Sequence, residues 1–117
     1  MKALIIDDEV DICYLLSSIL RNKNLQPDYV NSLSEAALAL KREIPGIVFI
    51  DNHLPDGLGM EFINHIKEHC PNTKIVMITA HDNADDRRKA LEVGVDSFIG
   101  KPFTKDTIYK AVDQLVQ

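Results

Sequence analysis

The sequence is poor in cysteine, and the two that it has are not arranged as a pair. Cys13 and Cys70 lie far apart among 117 residues and form no C-x-x-C motif. Each lies in a stretch whose apolar residues recur at helical spacing, so we expect both to be buried free thiols. Such thiols fit a reducing compartment. The chain is long enough to bury a core without help from disulfides or metals.

Positive charge and long apolar segments are also scarce. The chain has 13 Lys plus Arg against 18 Asp plus Glu, a net charge of −5, and no run rich in Lys or Arg. Nucleic-acid binding therefore lacks its electrostatic basis, and the acidic balance disfavours an anionic membrane surface. No segment approaches the ~20 apolar residues of a membrane span, and the N-terminal apolar run is too short for a signal peptide. We expect a cytoplasmic protein that binds neither nucleic acid nor membrane.

Short apolar runs alternate with stretches of helical periodicity along the chain. The runs suit strands covered on both faces, and apolar residues at i, i+3 and i+4 indicate helices that pack on a core. Strands are predicted at residues 3–6, 28–31, 47–50, 74–79 and 96–100. Helices are predicted at residues 11–21, from Leu33 to the break at Pro45-Gly46, at 60–69, at 83–93, and from Thr104 onward.

Three local details accompany these predictions. Pro27 is expected in the connection before the second strand. Ser32 stands three residues before Glu35, which is the spacing of a capping box. The fourth helix has a thin apolar stripe, predicted to consist of Ala84, Leu91 and Val93.

Five strand-then-helix units predict an α/β fold of the doubly wound type, (βα)5. Parallel strands joined by right-handed helical crossovers place helices on both faces of the sheet. With no long linker or shift in composition, we expect one domain, residues 1–117, and no effector domain in this chain. Periodicity leaves the order of the strands open.

Polar residues stand at the carboxyl ends of four predicted strands. They are Asp7 and Asp8, Asp51, Thr79, and Lys101. In a parallel sheet these ends meet at one edge, where ligands of open α/β sheets bind. Each residue alone has a plainer interpretation, as a loop carboxylate, a cap or a solvated lysine. Their joint placement favours a site.

Carboxylates that lie this close repel one another, which predicts a cation. Magnesium is the natural candidate because it is a hard ion that takes oxygen ligands and phosphate. With magnesium bound, Asp51 becomes a nucleophile toward a phosphoryl group, Lys101 offsets charge on the phosphoryl oxygens, and Thr79 donates to one of them. A zinc site at His53 and His81 is the weaker alternative, because no third ligand stands at a suitable spacing.

Four motifs in order resemble a response-regulator receiver domain and cover the chain from Ala3 to the last helix. They are Leu4-Ile5-Ile6-Asp7-Asp8-Glu9, then Asp51-x-x-Leu54-Pro55 with Gly59 and Glu61, then Ile78-Thr79-Ala80, then Phe98-x-x-Lys101-Pro102-Phe103. The resemblance implies strand order 2-1-3-4-5, with the reversal point between the first and third strands.

The same resemblance implies a metal site built around the phosphoacceptor. Asp51 takes a phosphoryl group from a phosphohistidine. Asp8 and Asp51 ligate Mg²⁺, for which Mn²⁺ is a possible substitute, through their side chains. The backbone carbonyl of His53 supplies another ligand, and Asp7 acts through a bound water.

It further implies how the phosphoryl group is held and sensed. Thr79, the Ala80 backbone amide and Lys101 contact its oxygens, and Phe98 changes rotamer as Thr79 moves. The face formed by the fourth helix, last strand and last helix then repacks. Lys101-Pro102 is expected to be a cis peptide.

The implied function is a signalling switch that catalyses only its own phosphorylation and dephosphorylation. The implied partners are a sensor histidine kinase or histidine phosphotransfer protein and a downstream effector protein or domain, with the chain a monomer or a phosphorylation-dependent dimer. Two other hypotheses are a magnesium-dependent phosphatase with an aspartyl nucleophile and an interaction module that takes no phosphate. His53 and His81 stand where family members influence hydrolysis of the acyl phosphate, and the Asn52 side chain is expected to point away from the site.

Overall fold

Five parallel strands alternate with five helices in the computed structural model, which describes residues 1–116. The strands of the sheet are β1 (Lys2–Ile6), β2 (Gln26–Val30), β3 (Ile47–Ile50), β4 (Lys74–Thr79) and β5 (Ser97–Gly100). The helices are α1 (Val10–Arg21), α2 (Leu33–Arg42), α3 (Gly59–His69), α4 (Ala84–Val93) and α5 (Lys105–Leu115). Within residues 1–116, none of these helices has the length and apolarity that crossing a membrane requires.

The sheet order is β2-β1-β3-β4-β5, and all four neighbouring pairs are parallel. The doubly wound fold and the strand order 2-1-3-4-5 are therefore confirmed. The register aligns Ile6 with Ile50 at the ends of β1 and β3. The residues that follow these two strands consequently emerge side by side, at the point where the strand order reverses.

The core consists of two apolar layers, one on each face of the sheet. Cys13 and Leu16 of α1 and Ile108 of α5 pack with Phe49 on one face. Residues of α2, α3 and α4 cover the other face, where the buried thiol Cys70 also lies. Both cysteines are buried and free, as predicted. A sheet covered on both faces explains why β3 is an uninterrupted apolar run.

The prediction that Pro27 lies in a connection is wrong, because Pro27 is within β2 and pairs in register with Ala3. A strand at the edge of a sheet bonds to one neighbour only. Proline, which has no N–H, is tolerated in an edge strand at a position where the N–H of another residue would point to solvent. β2 is such an edge strand, with β1 as its partner.

The predicted apolar stripe of α4 is wrong at Ala84 and Leu91, whereas Val93 is partly buried and packs against the core as predicted. Ala84 is exposed, Leu91 is 50 % exposed, and Ala90 is the buried residue of this helix. Gly94 ends α4 in the left-handed conformation, with φ of 110°, and the N–H of Val95 donates to the Ala90 carbonyl. This turn directs Val95 into the core and sets the helix so that the small Ala90 faces inward.

The predicted cap of α2 is present with one difference. The Ser32 hydroxyl accepts from the Glu35 N–H at 3.2 Å, as a capping residue does. The Glu35 carboxylate accepts from the N–H of Asn31 at 2.9 Å, one residue before the position expected in a capping box.

Candidate functional site

Parallel strands in register bring the predicted polar residues to one edge of the sheet. Asp7 and Asp51 directly follow β1 and β3, Thr79 is the last residue of β4, and Lys101 directly follows β5. Lys101 is tied to the end of β4, because its N–H donates to the Thr79 carbonyl at 2.8 Å. The Lys101–Pro102 peptide bond is cis.

Lys101 is the centre of a partly buried cluster of ion pairs. Its Nζ lies 2.9 Å from Asp7 Oδ2, 3.3 Å from Asp51 Oδ2 and 3.5 Å from Glu9 Oε1. The side chains of Lys101, Asp7 and Asp51 are only 9 %, 3 % and 7 % exposed. These charges are therefore largely removed from water, and each needs the others for compensation.

Burial and charge act on the pKa values of this cluster in opposite directions. Burial raises the pKa of Asp7, although the hydrogen bond from the Glu9 N–H and the ammonium of Lys101 pull it down. Burial alone would lower the pKa of Lys101, but its hydrogen bond to Asp7 and the charges of Asp51, Asp7 and Glu9 raise it. Lys101 is therefore held as a cation.

Four carboxylates are close enough to hold one cation. One ligand oxygen from each of Asp7, Asp8, Glu9 and Asp51 lies within 4.8 Å of the others, and Asp8 and Glu9 are open to solvent. An all-oxygen donor set with room for waters fits Mg²⁺. Glu9 is the member that sequence reasoning left out. Its place in the acidic run Asp7-Asp8-Glu9 was the available signal.

The turn after Asp51 is held to the start of α3 by hydrogen bonds from Met60 and Gly59 to Asn52. Asn52 is buried, and its side chain points away from the carboxylates, because its Oδ1 accepts from the Met60 N–H at 2.8 Å. The N–H of Gly59 donates to the Asn52 carbonyl at 2.7 Å. A Cβ atom at Gly59 would collide with the Asp51 carbonyl oxygen. His53 belongs to a small antiparallel ladder, His53–Leu54 with Gly57–Leu58, and its N–H lies 3.5 Å from Asp51 Oδ1.

Asp7 is held by residues that sequence reasoning did not identify. The Asn31 side-chain amide donates to the Asp7 carbonyl at 2.8 Å, and the Cys13 thiol lies 3.3 Å from the same oxygen. Asp7 Oδ1 accepts from the Glu9 N–H at 2.9 Å. Asn31 is 24 residues from Asp7, so no local pattern could reveal this contact.

Thr79 and the residues after it border the site on the side away from β1, because β3 lies between β1 and β4 in the sheet. Thr79 is 1 % exposed, and its hydroxyl oxygen accepts from the His81 N–H at 3.2 Å. That oxygen keeps its own hydrogen for donation. Ala80 is exposed directly after it. The ring centroids of His53 and His81 lie 4.0 Å apart. Within residues 1–116, neither histidine belongs to a group of three or more side chains that could hold a metal ion, so the zinc alternative gains no third ligand.

Phe98 is packed inward under an arginine. It is 7 % exposed, and the guanidinium of Arg87 lies 4.9 Å from its ring centroid. Arg87 also donates to the Phe98 carbonyl at 3.1 Å and pairs with Asp82 at 2.8 Å. Arg87 therefore links α4, β5 and the loop that follows Thr79.

Comparison with known sequences gives a consistent result. The family model of the response regulator receiver domain matches residues 3–113. The chain is 38 % identical over 101 residues to the response regulator protein PilR of Pseudomonas aeruginosa, covering 86 % of this chain and 23 % of PilR. It is 32 % identical over 105 residues to the phosphate regulon transcriptional regulatory protein PhoB of Escherichia coli, covering 88 % of this chain and 46 % of PhoB. The chain thus spans less than half of these relatives.

Solved structures agree with the sequence comparison. The beryllofluoride-activated receiver domain dimer of NtrC4 is 32 % identical and superposes with a TM-score of 0.92, over 97 % of this chain and 94 % of that one. Because the family match spans nearly the whole chain and the fold agrees over the same length, this chain belongs to the response regulator receiver domain family.

Proposed function

We propose that this chain is the phosphoacceptor receiver domain of a cytoplasmic two-component or phosphorelay system. In this role it takes a phosphoryl group onto Asp51 from the phosphohistidine of a sensor kinase or histidine phosphotransfer protein. The observation that carries the proposal is the contact of Asp51 Oδ2 with Lys101 Nζ at 3.3 Å, inside a cluster of carboxylates. This contact holds a carboxylate nucleophile beside a fixed cation.

The residues divide the work of phosphoryl transfer in a simple way. An Asp51 carboxylate oxygen forms the new bond to phosphorus while the bond from phosphorus to the donor imidazole breaks, and the electron pair leaves with the imidazole. Lys101 moves its ammonium contact from Asp51 Oδ2 to a phosphoryl oxygen. The Thr79 hydroxyl and the Ala80 amide donate to the others. Such transfer requires mainly alignment and charge neutralisation.

The carboxylate cluster is assigned to Mg²⁺, with Mn²⁺ as a substitute. Asp8 and Asp51 would hold the ion through their side chains, with the His53 backbone carbonyl, and Asp7 would act through a water. When bound, the ion neutralises charge on the phosphoryl oxygens. The close approach of carboxylate oxygens from Asp7, Asp8 and Asp51 supports this assignment.

Phosphorylation is proposed to change the face formed by α4, β5 and α5. Phosphoaspartate would draw the Thr79 hydroxyl inward, and the loop that carries Asp82 follows Thr79 directly. Movement of that loop would disturb the Asp82–Arg87 pair and the Arg87 contact with Phe98. The altered face would then bind an effector protein or domain, or a second copy of the chain. The domain acts as a switch and modifies no other protein.

The chemistry is tested with the purified chain, magnesium and a small acyl-phosphate donor. Intact-mass analysis is expected to show one added phosphoryl group that is lost in base and that does not form when magnesium is chelated. Asp51→Asn should show no adduct. Asp106→Asn, at an exposed carboxylate of α5, is the matched control and should still be phosphorylated.

Two outcomes would contradict the proposal. An adduct that persists in Asp51→Asn would move the acceptor elsewhere. Rapid release of phosphate from unrelated phosphomonoesters, without a detectable adduct, would favour a phosphatase.

The switch is tested separately by the NMR spectrum of the beryllofluoride complex. Unchanged resonances around Phe98 and Arg87 would refute the switch and leave the acceptor chemistry standing.

A further inference from the structure

A stack of three aromatic rings lies along α3 and reaches its C-terminal residue. The rings of His65 and His69 have centroids 4.2 Å apart and planes inclined by 24°. Phe62 stacks against His65 at 4.8 Å. The two histidines are spaced i, i+4, so they share one face of the helix. The proposed phosphorylation site uses neither of them.

A hydrogen bond determines the tautomer of His69. Its Nδ1 lies 2.9 Å from the backbone carbonyl oxygen of His65. A carbonyl can only accept, so Nδ1 must carry the hydrogen and the lone pair of the neutral ring is on Nε2. Histidines that bind metals characteristically donate their other ring N–H to a carbonyl or carboxylate in this way. His69 is exposed, so its Nε2 is open to solvent.

The surroundings of His65 keep it available as a ligand. Burial lowers its pKa, His69 and Lys41 lower it further, and Glu68 opposes them. A neutral imidazole has a free lone pair at neutral pH, whereas an imidazolium has none.

We propose that His65 and His69 form a binding site for a divalent transition-metal cation of the Zn²⁺, Ni²⁺ or Cu²⁺ class, separate from the carboxylate site. Two histidines at i, i+4 on a helix are the arrangement by which helical zinc sites present their imidazoles. The two imidazoles are the protein ligands of this site, and waters would complete its coordination. Imidazole selects these metals, while Mg²⁺ selects oxygen. The two sites therefore take different ions.

Metal binding at this site is expected to stabilise α3. A cation that binds two residues one turn apart in the folded helix, and that binds the unfolded chain weakly, raises the melting temperature by mass action. Asp51 precedes α3 and its turn is bonded to Gly59 and Met60 at the start of that helix. The site lies on the later turns of α3, so its occupation should leave phosphorylation of Asp51 in place.

Calorimetric titration with Ni²⁺ tests the proposal on the full chain in saturating Mg²⁺, which occupies the carboxylates. We expect one site in the wild-type protein. Removing a side chain that only hydrogen-bonds to a metal ligand typically lowers metal affinity about 10–100-fold. Removing a ligand itself should cost at least as much, so the Ni²⁺ affinity should fall at least about tenfold in His69→Gln and in His65→Gln. His69 is exposed, so His69→Gln should fold normally, which circular dichroism would verify.

The double variant His53→Gln/His81→Gln is the matched control, since it removes the other close imidazole pair. It should retain the Ni²⁺ site, and paramagnetic broadening of NMR signals should centre on residues 61–69. Absence of binding in the wild type, unchanged affinity in His69→Gln, or loss of binding in the control would each overturn the assignment. Loss of phosphorylation would not bear on it, so the two proposals fail separately.

Discussion

Replacing Lys101 by methionine tests whether the ammonium holds the carboxylates of the site together. Methionine keeps a similar length and removes the charge. In the wild-type protein Lys101 Nζ lies 2.9 Å from Asp7 and 3.3 Å from Asp51, whose side chains are 3 % and 7 % exposed. The variant therefore leaves two nearly buried carboxylates without their cation.

The expected loss follows from the burial of the pair. Breaking a buried ion pair by removing one partner costs about 3–5 kcal/mol of unfolding free energy. Asp8 and Glu9 are exposed, so water reaches one side of the cluster and screens it. We therefore expect the lower part of this range, about 3 kcal/mol at neutral pH without divalent cations.

The loss should depend on pH in a defined direction. Burial already raises the pKa of Asp7, and Lys101 holds it down, so removing Lys101 raises this pKa further. A carboxyl whose pKa is higher in the folded state binds more protons there, so stability falls as the pH rises through that pKa. The difference between wild type and variant should be small near pH ~4 and fully developed near pH ~7.

Urea unfolding followed by far-UV circular dichroism in a chelator measures these differences. Lys110→Met, at an exposed lysine of α5, is the control and should change stability by less than about 0.5 kcal/mol. Saturating Mg²⁺ should stabilise Lys101→Met more than wild type, because the carboxylates no longer have a competing ammonium. A loss that is the same at acidic and neutral pH, or below about 1 kcal/mol throughout, would show that Lys101 does not hold the Asp7 and Asp51 carboxylates together.

Three further predictions concern the residues around this cluster. Gly59→Ala should lower the unfolding free energy by about 1–3 kcal/mol in urea titrations, because its Cβ would collide with the Asp51 carbonyl oxygen; a neutral result would contradict the close approach. Asp56→Asn should destabilise at neutral pH, because the Asp56 carboxylate accepts from the N–H groups of Leu33 and Ser34, which lower its pKa. The difference from wild type should begin to shrink as the pH falls below about 4 and should vanish only below the lowered pKa, where Asp56 is protonated in the folded chain as well. Cys13, fully buried with its pKa raised to about 11, should resist alkylation at neutral pH until the chain is unfolded in urea, and rapid labelling of native protein would show that α1 opens.

The central strands could be predicted because a strand that is buried on both faces consists almost entirely of apolar residues. β3 is apolar at every position since both faces are covered, and a carboxylate directly after it was sufficient to place Asp51 at the sheet edge. The same reasoning placed Thr79 and Lys101, and the structure brings Lys101 into contact with Asp51.

The errors arose where structure depends on distant parts of the chain. Whether Pro27 fits in β2 depends on that strand being at the edge, which is a property of the whole sheet. α4 is so polar that its one buried position, Ala90, does not stand out from periodicity. The support of Asp7 by Asn31 joins residues 24 apart, and the contact of Glu9 with Lys101 spans 92 residues. No local pattern reports such contacts.

The role of Asp51 as the phosphoacceptor is tested most directly by locating the phosphoryl group in the chain. After incubation with magnesium and an acyl-phosphate donor, borohydride reduction converts a phosphoaspartate to homoserine, which peptide mass mapping locates. We expect homoserine at position 51 alone, formed only with magnesium and absent from the Asp51→Asn variant. Homoserine at Asp7 or Asp8, or unmodified Asp51 in a protein that carries the added mass, would contradict it.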